Sequence, residues 1–402
     1  MSQQPLLPRR GQYACGPTDV APPGLRAVSL FSGAGGLDLG VERAGYAVVF
    51  AVENDPMAVA TLNRNRAQYF PALGEVAALD ITTLDPLRVM SEIGVEPGEI
   101  DLLIGGPPCV AFSKSGFHLE YKREGKDPKA SLLDDHLRFL EALRPKAYLM
   151  ENVFGLAYRN QSAPFFKRLC DGIKAAGYSL RYRVLNAADY GVPQNRQRLF
   201  IIGSSDGREL EHPAATHWGQ HERRRPPVDV DDLLPHVTAG EALAVVAADP
   251  EPGEEVNGRW GHLLPDIPAG GNYLHYTKEL GHPEPLFKWR SRYWTFLLKL
   301  DPERPSPTLQ GQPGPYVGPF HWENRRLRLP ELKRLHGFPD DYHLEGSRRD
   351  AQLQVGNAVP PRLAQVVAAA IRDQLHPESL SRESEWSLMQ VVTPTLIAAE
   401  RM

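Results

Sequence analysis

The stretch Asp101-Leu-Leu-Ile-Gly-Gly-Pro-Pro-Cys109-Val-Ala-Phe-Ser113 indicates the fold class of the chain. Its apolar residues 102–104 are typical of a short buried strand, and the two glycines that follow allow a tight turn. Pro107 and Pro108 stiffen the backbone directly before a single thiol. An α/β protein carries a nucleophile on such a turn at the carboxyl end of a strand, whereas the alternative is a buried structural cysteine.

The composition is that of a globular chain with more than one structural unit. At 402 residues the chain exceeds what one core usually organises, so we expect two domains or one domain with a large insertion. No apolar run of 18 residues and no signal peptide is present, which predicts a cytoplasmic protein without a membrane contact. Cys15, Cys109 and Cys170 are too few and too scattered for a disulfide framework, and we expect no metal site.

Charge is distributed unevenly along the second half of the chain. Residues 228–284 contain 11 acidic and 2 basic residues, whereas residues 285–334 contain 10 basic and 4 acidic ones. The formal net charge of −4 conceals this contrast. Neighbouring segments of opposite sign indicate one surface for an anion and one for solvent, although a solvated surface of mixed charge is equally consistent with the pattern.

Two strand-and-turn units come before the Pro-Pro-Cys stretch. Residues 27–31 predict a buried strand, and the turn Ser32-Gly-Ala-Gly-Gly-Leu-Asp-Leu-Gly40 then opens a helix, as at the start of a doubly wound sheet. Glycine turns are also common in proteins as purely structural turns that bind no ligand. A second predicted strand, residues 47–52, ends at Glu53-Asn54-Asp55. Asp55 before Pro56 is typical of a helix N-cap, which leaves Glu53 free to hold a ribose diol.

Further elements of the same kind follow along the chain. Leu79-Asp80-Ile81 is interpreted as the end of a third strand, with Asp80 near an adenine amino group. Residues 113–130 predict a long polar loop of the kind that closes as a lid. The next strand ends in Glu151-Asn152-Val153, a second carboxylate at a strand tip. The remaining predictions for this part are helices over 131–143 and 165–177, a strand over 180–185, and a strand up to 202 preceded by Gln194, Arg196 and Arg198 on one side.

A second domain is predicted from about residue 206, where prolines, glycines and short strands replace the alternation of strands and helices. Residues 293–298 are its clearest predicted strand. Lys288-Trp-Arg290-Ser-Arg292-Tyr-Trp294 interleaves cations with aromatic rings, which suits phosphate and base contacts or a plain core edge. The predicted division is a flexible arm (1–24), a catalytic domain (25–205 and 351–375), the inserted domain (206–350) and a tail (376–402). A basic helix is predicted over 327–336 in the inserted domain. In the catalytic domain, Gln354-Val-Gly-Asn-Ala-Val-Pro-Pro361 leads into an apolar helix over 362–375.

Three strand ends together indicate a reaction class. In a parallel sheet the carboxyl ends of the strands face one crevice. Three predicted strand ends would meet there: the glycine turn with Glu53, the Pro-Pro-Cys turn, and the Glu151-Asn152 pair. A thiolate and a carboxylate beside a nucleoside-bearing cofactor suit conjugate addition to an electron-poor ring, because the thiol attacks and a proton donor relieves the resulting negative charge.

The ordered motifs resemble the DNA (cytosine-5) methyltransferase family over about residues 27–371. They are Phe31-Ser-Gly-Ala-Gly-Gly36, Glu53-Asn-Asp55, Gly106-Pro-Pro-Cys109, Glu151-Asn-Val153, Gln194-x-Arg-x-Arg198 and Gly356-Asn-Ala-Val-Pro360. The resemblance implies the S-adenosylmethionine-dependent methyltransferase fold, an α/β, doubly wound, mostly parallel sheet. It also implies an inserted smaller target-recognition domain rich in strands and loops.

The resemblance implies site residues by position. Cys109 would attack C6 of a flipped cytosine, Glu151 would hold N3 and the exocyclic amine, and Arg196 and Arg198 would support the ring edge or orient Glu151. The cofactor would be S-adenosylmethionine, with S-adenosylhomocysteine as product. The implied cofactor residues are Phe31, Gly33, Gly35, Gly36, Glu53, Asn54, Asp80, Ile81, Pro108, Leu132 and Asn357. The candidate DNA-binding residues are Ser113, Gln194, Arg290, Arg292 and Gln310.

Two positions depart from the family pattern, and three alternatives to this function stay open. Val110 stands where the family usually has Gln, and Leu79 stands where Gly usually precedes Asp80. The alternatives are a NAD-linked Rossmann oxidoreductase, a catalytically idle DNA-binding module and a tRNA cytosine-5 methyltransferase. The favoured interpretation is a bacterial modification enzyme of a restriction–modification pair that acts as a monomer on double-stranded DNA.

Overall fold

The computed structural model describes residues 24–108, 132–160, 162–219, 233–244, 246, 249–290 and 293–377. Its strands are β1 (Leu25–Leu30), β2 (Tyr46–Val52), β3 (Leu102–Gly105), β4 (Ala147–Val153), β5 (Arg181–Asn186), β6 (Gln197–Ser204), β7 (His217–Trp218) and β8 (Leu234–Pro235). Within the described residues, six strands form one sheet in the order β2-β1-β3-β4-β6-β5, and β7 pairs with β8. Strands β1 to β4 run parallel, and β6 is antiparallel to both of its neighbours. The predicted doubly wound, mostly parallel sheet is confirmed.

Helices cover both faces of this sheet. Leu102 and Ile104 of β3 belong to the core on one face, and Leu103 belongs to the core on the other. Because both faces are buried, the strands are nearly continuous apolar runs. The α-helices are α1 (Gly36–Arg43), α2 (Pro56–Tyr69), α3 (Pro86–Ile93), α4 (Leu132–Leu143), α5 (Gly155–Tyr158), α6 (Ala163–Ala175), α7 (Ala239–Leu243), α8 (Leu329–His336), α9 (Arg348–Asn357) and α10 (Pro361–Leu375).

Glycines let α1 lie directly on the C-terminal part of the chain. A Cβ added to Gly36 would lie 2.4 Å from the carbonyl oxygen of Val359, and one added to Gly40 would lie 2.4 Å from Cβ of Ala364. Such contacts are shorter than any real side chain tolerates, so glycine is required at both positions for this packing. The C-terminal helix α10 therefore packs on α1 and shares its core.

The carboxyl ends of the first strands carry helix caps. Asp55 accepts hydrogen bonds from the backbone N–H groups of Met57 and Ala58 and caps α2, with Pro56 in its first turn. The predicted N-cap is therefore confirmed. The predicted third strand at residues 79–81 is wrong, because Asp80 caps a 3₁₀ turn, Ile81–Thr83, through Thr82. This short polar cap competes with an extended backbone.

A smaller third core forms within residues 256–320. It contains Val256, Leu264, Tyr276 and Phe320, which connect short turns and isolated bridges. The predicted strand over residues 293–298 is wrong: Leu297 has a left-handed φ of 52°, which interrupts an extended run. Residues 354–357 form the last turn of α9, and the predicted apolar helix over 362–375 is α10.

Helix α8 and the residues after it pack with the core of the large sheet. Leu332, Leu335 and Tyr342 join the same core as β1 and α10. Several predicted features lie outside the described residues: Cys109, Val110, Ser113, the loop at 113–130, Arg292, and most of the arm and tail. None of the helices within the described residues is long and apolar enough to cross a membrane.

Candidate active site

The carboxyl ends of β3 and β4 lie side by side at one edge of the sheet. The side-chain amide of Asn152 donates a hydrogen bond to the carbonyl of Pro107 over 3.1 Å. Gly106 is so close to Glu151 that an added Cβ would lie 3.4 Å from Oε2. The backbone that leads to Cys109 therefore passes directly over the Glu151 carboxyl group, although Cys109 itself lies outside the described residues.

Arg198 is the ion-pair partner of Glu151. Its Nε lies 2.9 Å from Oε1 of Glu151, and the two side chains are 14% and 11% exposed. Arg198 on β6 lies opposite Val153 on β4. Glu151 is two residues before Val153 and points to the same face of the sheet, so Arg198 is its diagonal neighbour. Burial raises the pKa of Glu151, while the charges of Arg198 and Arg196 lower it in part. A carboxyl group of raised pKa holds a proton closer to neutral pH, which suits a proton donor.

Arg196 has a different position from the one that the sequence predicted. It is buried, and its guanidinium donates to the carbonyls of Leu309 (3.3 Å), Gly356 (2.6 Å) and Ala358 (2.9 Å). These bonds hold the guanidinium against the end of α9, the residue after it and residue 309. Arg196 therefore connects three chain segments, and its influence on Glu151 is electrostatic.

Gln194 is also buried, so the prediction that it contacts DNA is wrong for this structure. Its side-chain amide donates to the carbonyl of Leu335 over 3.2 Å, and its Oε1 accepts from the N–H of Leu309 over 3.2 Å. His336 lies 3.1 Å from the same amide nitrogen. The period-two pattern placed Gln194 beside Arg198, but the segment before β6 turns inward because α8 packs over it.

The glycine turn and the second strand meet through Glu53. Oε2 of Glu53 accepts the N–H of Gly33 over 2.7 Å, and Oε1 accepts the N–H groups of Asn54 and Asp55 over 2.9 and 2.8 Å. Phe31 and Gly33 have left-handed φ values of 58° and 55°, so the turn bends sharply at this point. A fixed carboxylate beside open backbone suits a nucleoside, since Oε2 of Glu53 keeps an acceptor site for a ribose hydroxyl.

Of the remaining cofactor candidates, Asp80 and Ile81 come shortly after Ala78, which forms an isolated bridge with Glu53. Among the candidates, Asp80, Pro108 and Asn357 are exposed. Ile81 is buried, and Leu132, at the start of α4, is half-buried. A Cβ on Gly35 would lie 2.7 Å from Oη of Tyr342, so this turn also needs glycine for packing.

Of the candidates for DNA contact, Arg290 and Gln310 lie within the described residues. Arg290 is exposed, and its backbone N–H and carbonyl both bond to the hydroxyl of buried Tyr273, over 2.9 and 2.7 Å. Gln310 is half-buried, and its carbonyl accepts from Gln352 over 3.3 Å.

Sequence reasoning missed two buried titratable side chains next to the site. Burial raises the pKa of Asp38, in the first turn of α1, to about 6, although the hydroxyls of Ser29 and Ser32 lower it in part. Burial lowers the pKa of His136 to about 3, and its ring lies against Gly105. His136 follows Leu132 by one turn of α4, and this i, i+4 spacing was the available signal.

Comparison with known proteins identifies the family. The sequence model of C-5 cytosine-specific DNA methylases matches residues 25–373. The chain belongs to the C-5 cytosine-specific DNA methylase family. It is 44% identical to the Type II methyltransferase M.SacI of Streptomyces achromogenes, over 87% of this chain and 93% of the relative. It is 32% identical to M1.HphI of Haemophilus parahaemolyticus, over 86% of each. The fold is similar to that of a DNA modification methyltransferase described from a prophage (E. coli), with a TM-score of 0.60, 23% identity, and coverage of 88% of this chain and 99% of that one.

Family membership establishes the activity of this methylase. It transfers a methyl group from S-adenosylmethionine to C5 of cytosine in DNA. The NAD-linked oxidoreductase is therefore excluded as an alternative.

Proposed function

We propose that this methylase modifies one cytosine within a specific double-stranded sequence, as the modification partner of a restriction enzyme in a bacterial cytoplasm, and that it acts as a monomer. The name Type II methyltransferase, carried by relatives that align over most of the chain, supports the pairing with restriction. The buried pair of Glu151 and Arg198, beside the backbone that leads to Cys109, supports the mechanism.

Cys109 and Glu151 act together on the cytosine ring. The Cys109 thiolate adds to C6, and the proton on Glu151 is donated to N3, so negative charge does not accumulate on the ring. Arg198 holds the Glu151 carboxyl group in place. S-adenosylmethionine, when bound, supplies the methyl group that C5 accepts. A water molecule accepts the C5 proton as the Cys109 thiolate leaves, and the N3 proton returns to Glu151, which restores the ring and both side chains. A free thiol has a pKa of about 8.5, so positive charge near Cys109 is needed to increase its thiolate fraction.

The cofactor is held at the adjoining strand ends. Glu53 accepts the ribose hydroxyls, the turn from Phe31 to Gly36 carries the methionine part, and Asp80 and Ile81 contact the adenine. Asn54, Pro108, Leu132 and Asn357 close the site from its sides. The support is the Glu53 carboxylate, which backbone N–H groups hold in place, and the bridge of Glu53 with Ala78, two residues before Asp80.

The smaller core at 256–320 carries the target-reading surface. Lys288 and Arg290 form no ion pair with any described residue, whereas Arg304, Arg325 and Arg328 nearby are paired with carboxylates. Unpaired cations beside the exposed rings of Trp289 and Trp294 suit the phosphates and bases of DNA. Ser113, Arg292 and Gln310 are proposed as further DNA contacts.

Two measurements test the mechanism. Bisulfite sequencing of DNA from cells that express the protein identifies the modified site. A duplex with 5-fluorocytosine at that position, incubated with enzyme and S-adenosylmethionine, should form a denaturant-resistant adduct, because fluorine blocks loss of the C5 proton. Cys109→Ser should bind the duplex and form no adduct. An adduct with this variant, or none with the natural enzyme, would refute the covalent mechanism.

A further inference from the structure

Two exposed aromatic rings lie just beyond the catalytic carboxyl group. Phe154 and Tyr158 stack with ring centroids 5.3 Å apart and planes within 5° of parallel. Their exposed fractions are 39% and 55%, so the outer faces of both rings are open to solvent. Among the described residues each ring stacks on the other alone, which leaves apolar area in water and favours a ligand with a flat ring.

The rings are held at a fixed place relative to the active site. Phe154 follows Glu151 by three residues, so their Cα atoms are at most about 10 Å apart. Tyr158 is one turn of α5 further on, which places both rings on one face. The helix is anchored by Leu156, which is fully buried, and by the hydroxyl of Ser162, which donates to the carbonyl of Gly155 over 2.6 Å. The pair is therefore a rigid feature of the pocket edge.

We propose that Phe154 and Tyr158 form a stacking platform for the nucleobase next to the flipped cytosine in DNA. A DNA strand whose flipped cytosine reaches Glu151 also brings the adjacent nucleotide close to Phe154 and Tyr158. When the cytosine leaves the helix, that neighbour loses one stacking partner, and an aromatic face replaces it. Stacking on aromatic rings tolerates any base, so the platform adds affinity without adding sequence preference. This role rests on the proposed base-flipping mechanism.

Fluorescence of a base analogue tests the platform directly. 2-Aminopurine is placed in turn on each side of the mapped target cytosine in a duplex, with S-adenosylhomocysteine present. The natural enzyme should quench one of the two positions through ring stacking, and Tyr158→Ala with Phe154→Ala should remove that quenching. Tyr158→Phe retains the ring and should behave like the natural enzyme. The double alanine variant should also show a decrease of about tenfold in kcat/KM, as expected when one base–aromatic stack is removed.

The outcomes separate this proposal from the underlying mechanism. Equal quenching by the natural and double alanine enzymes, while both form the 5-fluorocytosine adduct, would overturn the platform and leave methyl transfer intact. Thermal unfolding of the variants is measured in parallel. If the double alanine variant and Tyr158→Phe are both folded and both lose the quenching, ring stacking would also be contradicted, because Tyr158→Phe keeps the ring. No quenching at either position in the natural enzyme would overturn the proposal. That result is expected if residues 109–131 of the same chain, or a protein partner, cover the two rings.

Discussion

Nε of Arg198 lies 2.9 Å from Oε1 of Glu151, across neighbouring strands of opposite direction, at the edge of the sheet where the Pro-Pro-Cys backbone ends. Burial raises the pKa of Glu151, the charge of Arg198 lowers it in part, and the ion pair with Arg198 fixes the position of the carboxyl group. Glu151 is thus held ready to donate a proton without being free to turn away.

Replacement of Glu151 by Gln should remove methyl transfer while the fold is retained. Gln preserves the size of the side chain but carries no transferable proton, so the rate of methyl incorporation should fall by about 10²- to 10⁴-fold. Binding of the duplex, measured by gel shift, should change little. Activity within a factor of about ten of the natural enzyme would contradict the proton-donor role.

Replacement of Arg196 and of Arg198 should have different main effects. Arg198→Gln removes the charge that lowers the pKa of Glu151, so that pKa should rise further and kcat should fall strongly. Arg196→Met leaves the carbonyl of Gly356 without its guanidinium donor, and the carbonyl of Ala358 with only the ring of His336, so the main loss should be about 1–3 kcal/mol in the free energy of unfolding. Both variants are compared by thermal unfolding and by single-turnover rates. A larger kcat loss for Arg196→Met would reverse the assignment.

Replacement of Arg290 should weaken DNA binding in a salt-dependent way. Removal of one phosphate-binding cation reduces the slope of log K against log salt by about 1, so Arg290→Gln should flatten that slope. Arg304→Gln is the matched control, because Arg304 belongs to the same region and pairs with Asp301 over 3.3 Å. Equal slopes for Arg290→Gln and the natural enzyme, measured by fluorescence anisotropy, would exclude a phosphate contact by Arg290.

Asp38 should make the fold less stable as pH rises. Its pKa is raised from 3.8 to about 6 in the folded protein, so the unfolded chain ionises first. Stability is therefore lost between about pH 4 and pH 6 and stays lower above that range, by about 3 kcal/mol. Asp38→Asn stays neutral, so it should be more stable than the natural protein at pH 8 and equal to it at pH 4. Chemical unfolding at both pH values measures the difference, and equal stability at pH 8 would disprove the linkage.

The sequence alone indicated the doubly wound, mostly parallel sheet, the glycine turn, the cap at Asp55 and the family of the enzyme. These features depend on local residue preferences and on motifs that are contiguous in the chain. The crevice shared by the Pro-Pro-Cys and Glu-Asn tips follows from parallel strands, which bring their carboxyl ends to one edge.

The tertiary structure decided which arginine faces Glu151 and which one connects the C-terminal loop. Arg196 and Arg198 both alternate to the same side in the pattern, but Leu309, Gly356 and Ala358 lie 113 to 162 residues from Arg196 and capture its guanidinium. The same long-range packing buries Gln194 under α8 and places the left-handed Leu297 inside the predicted strand. Partners so distant along the chain leave no periodic signal, because only the folded backbone brings their carbonyls within reach of one side chain.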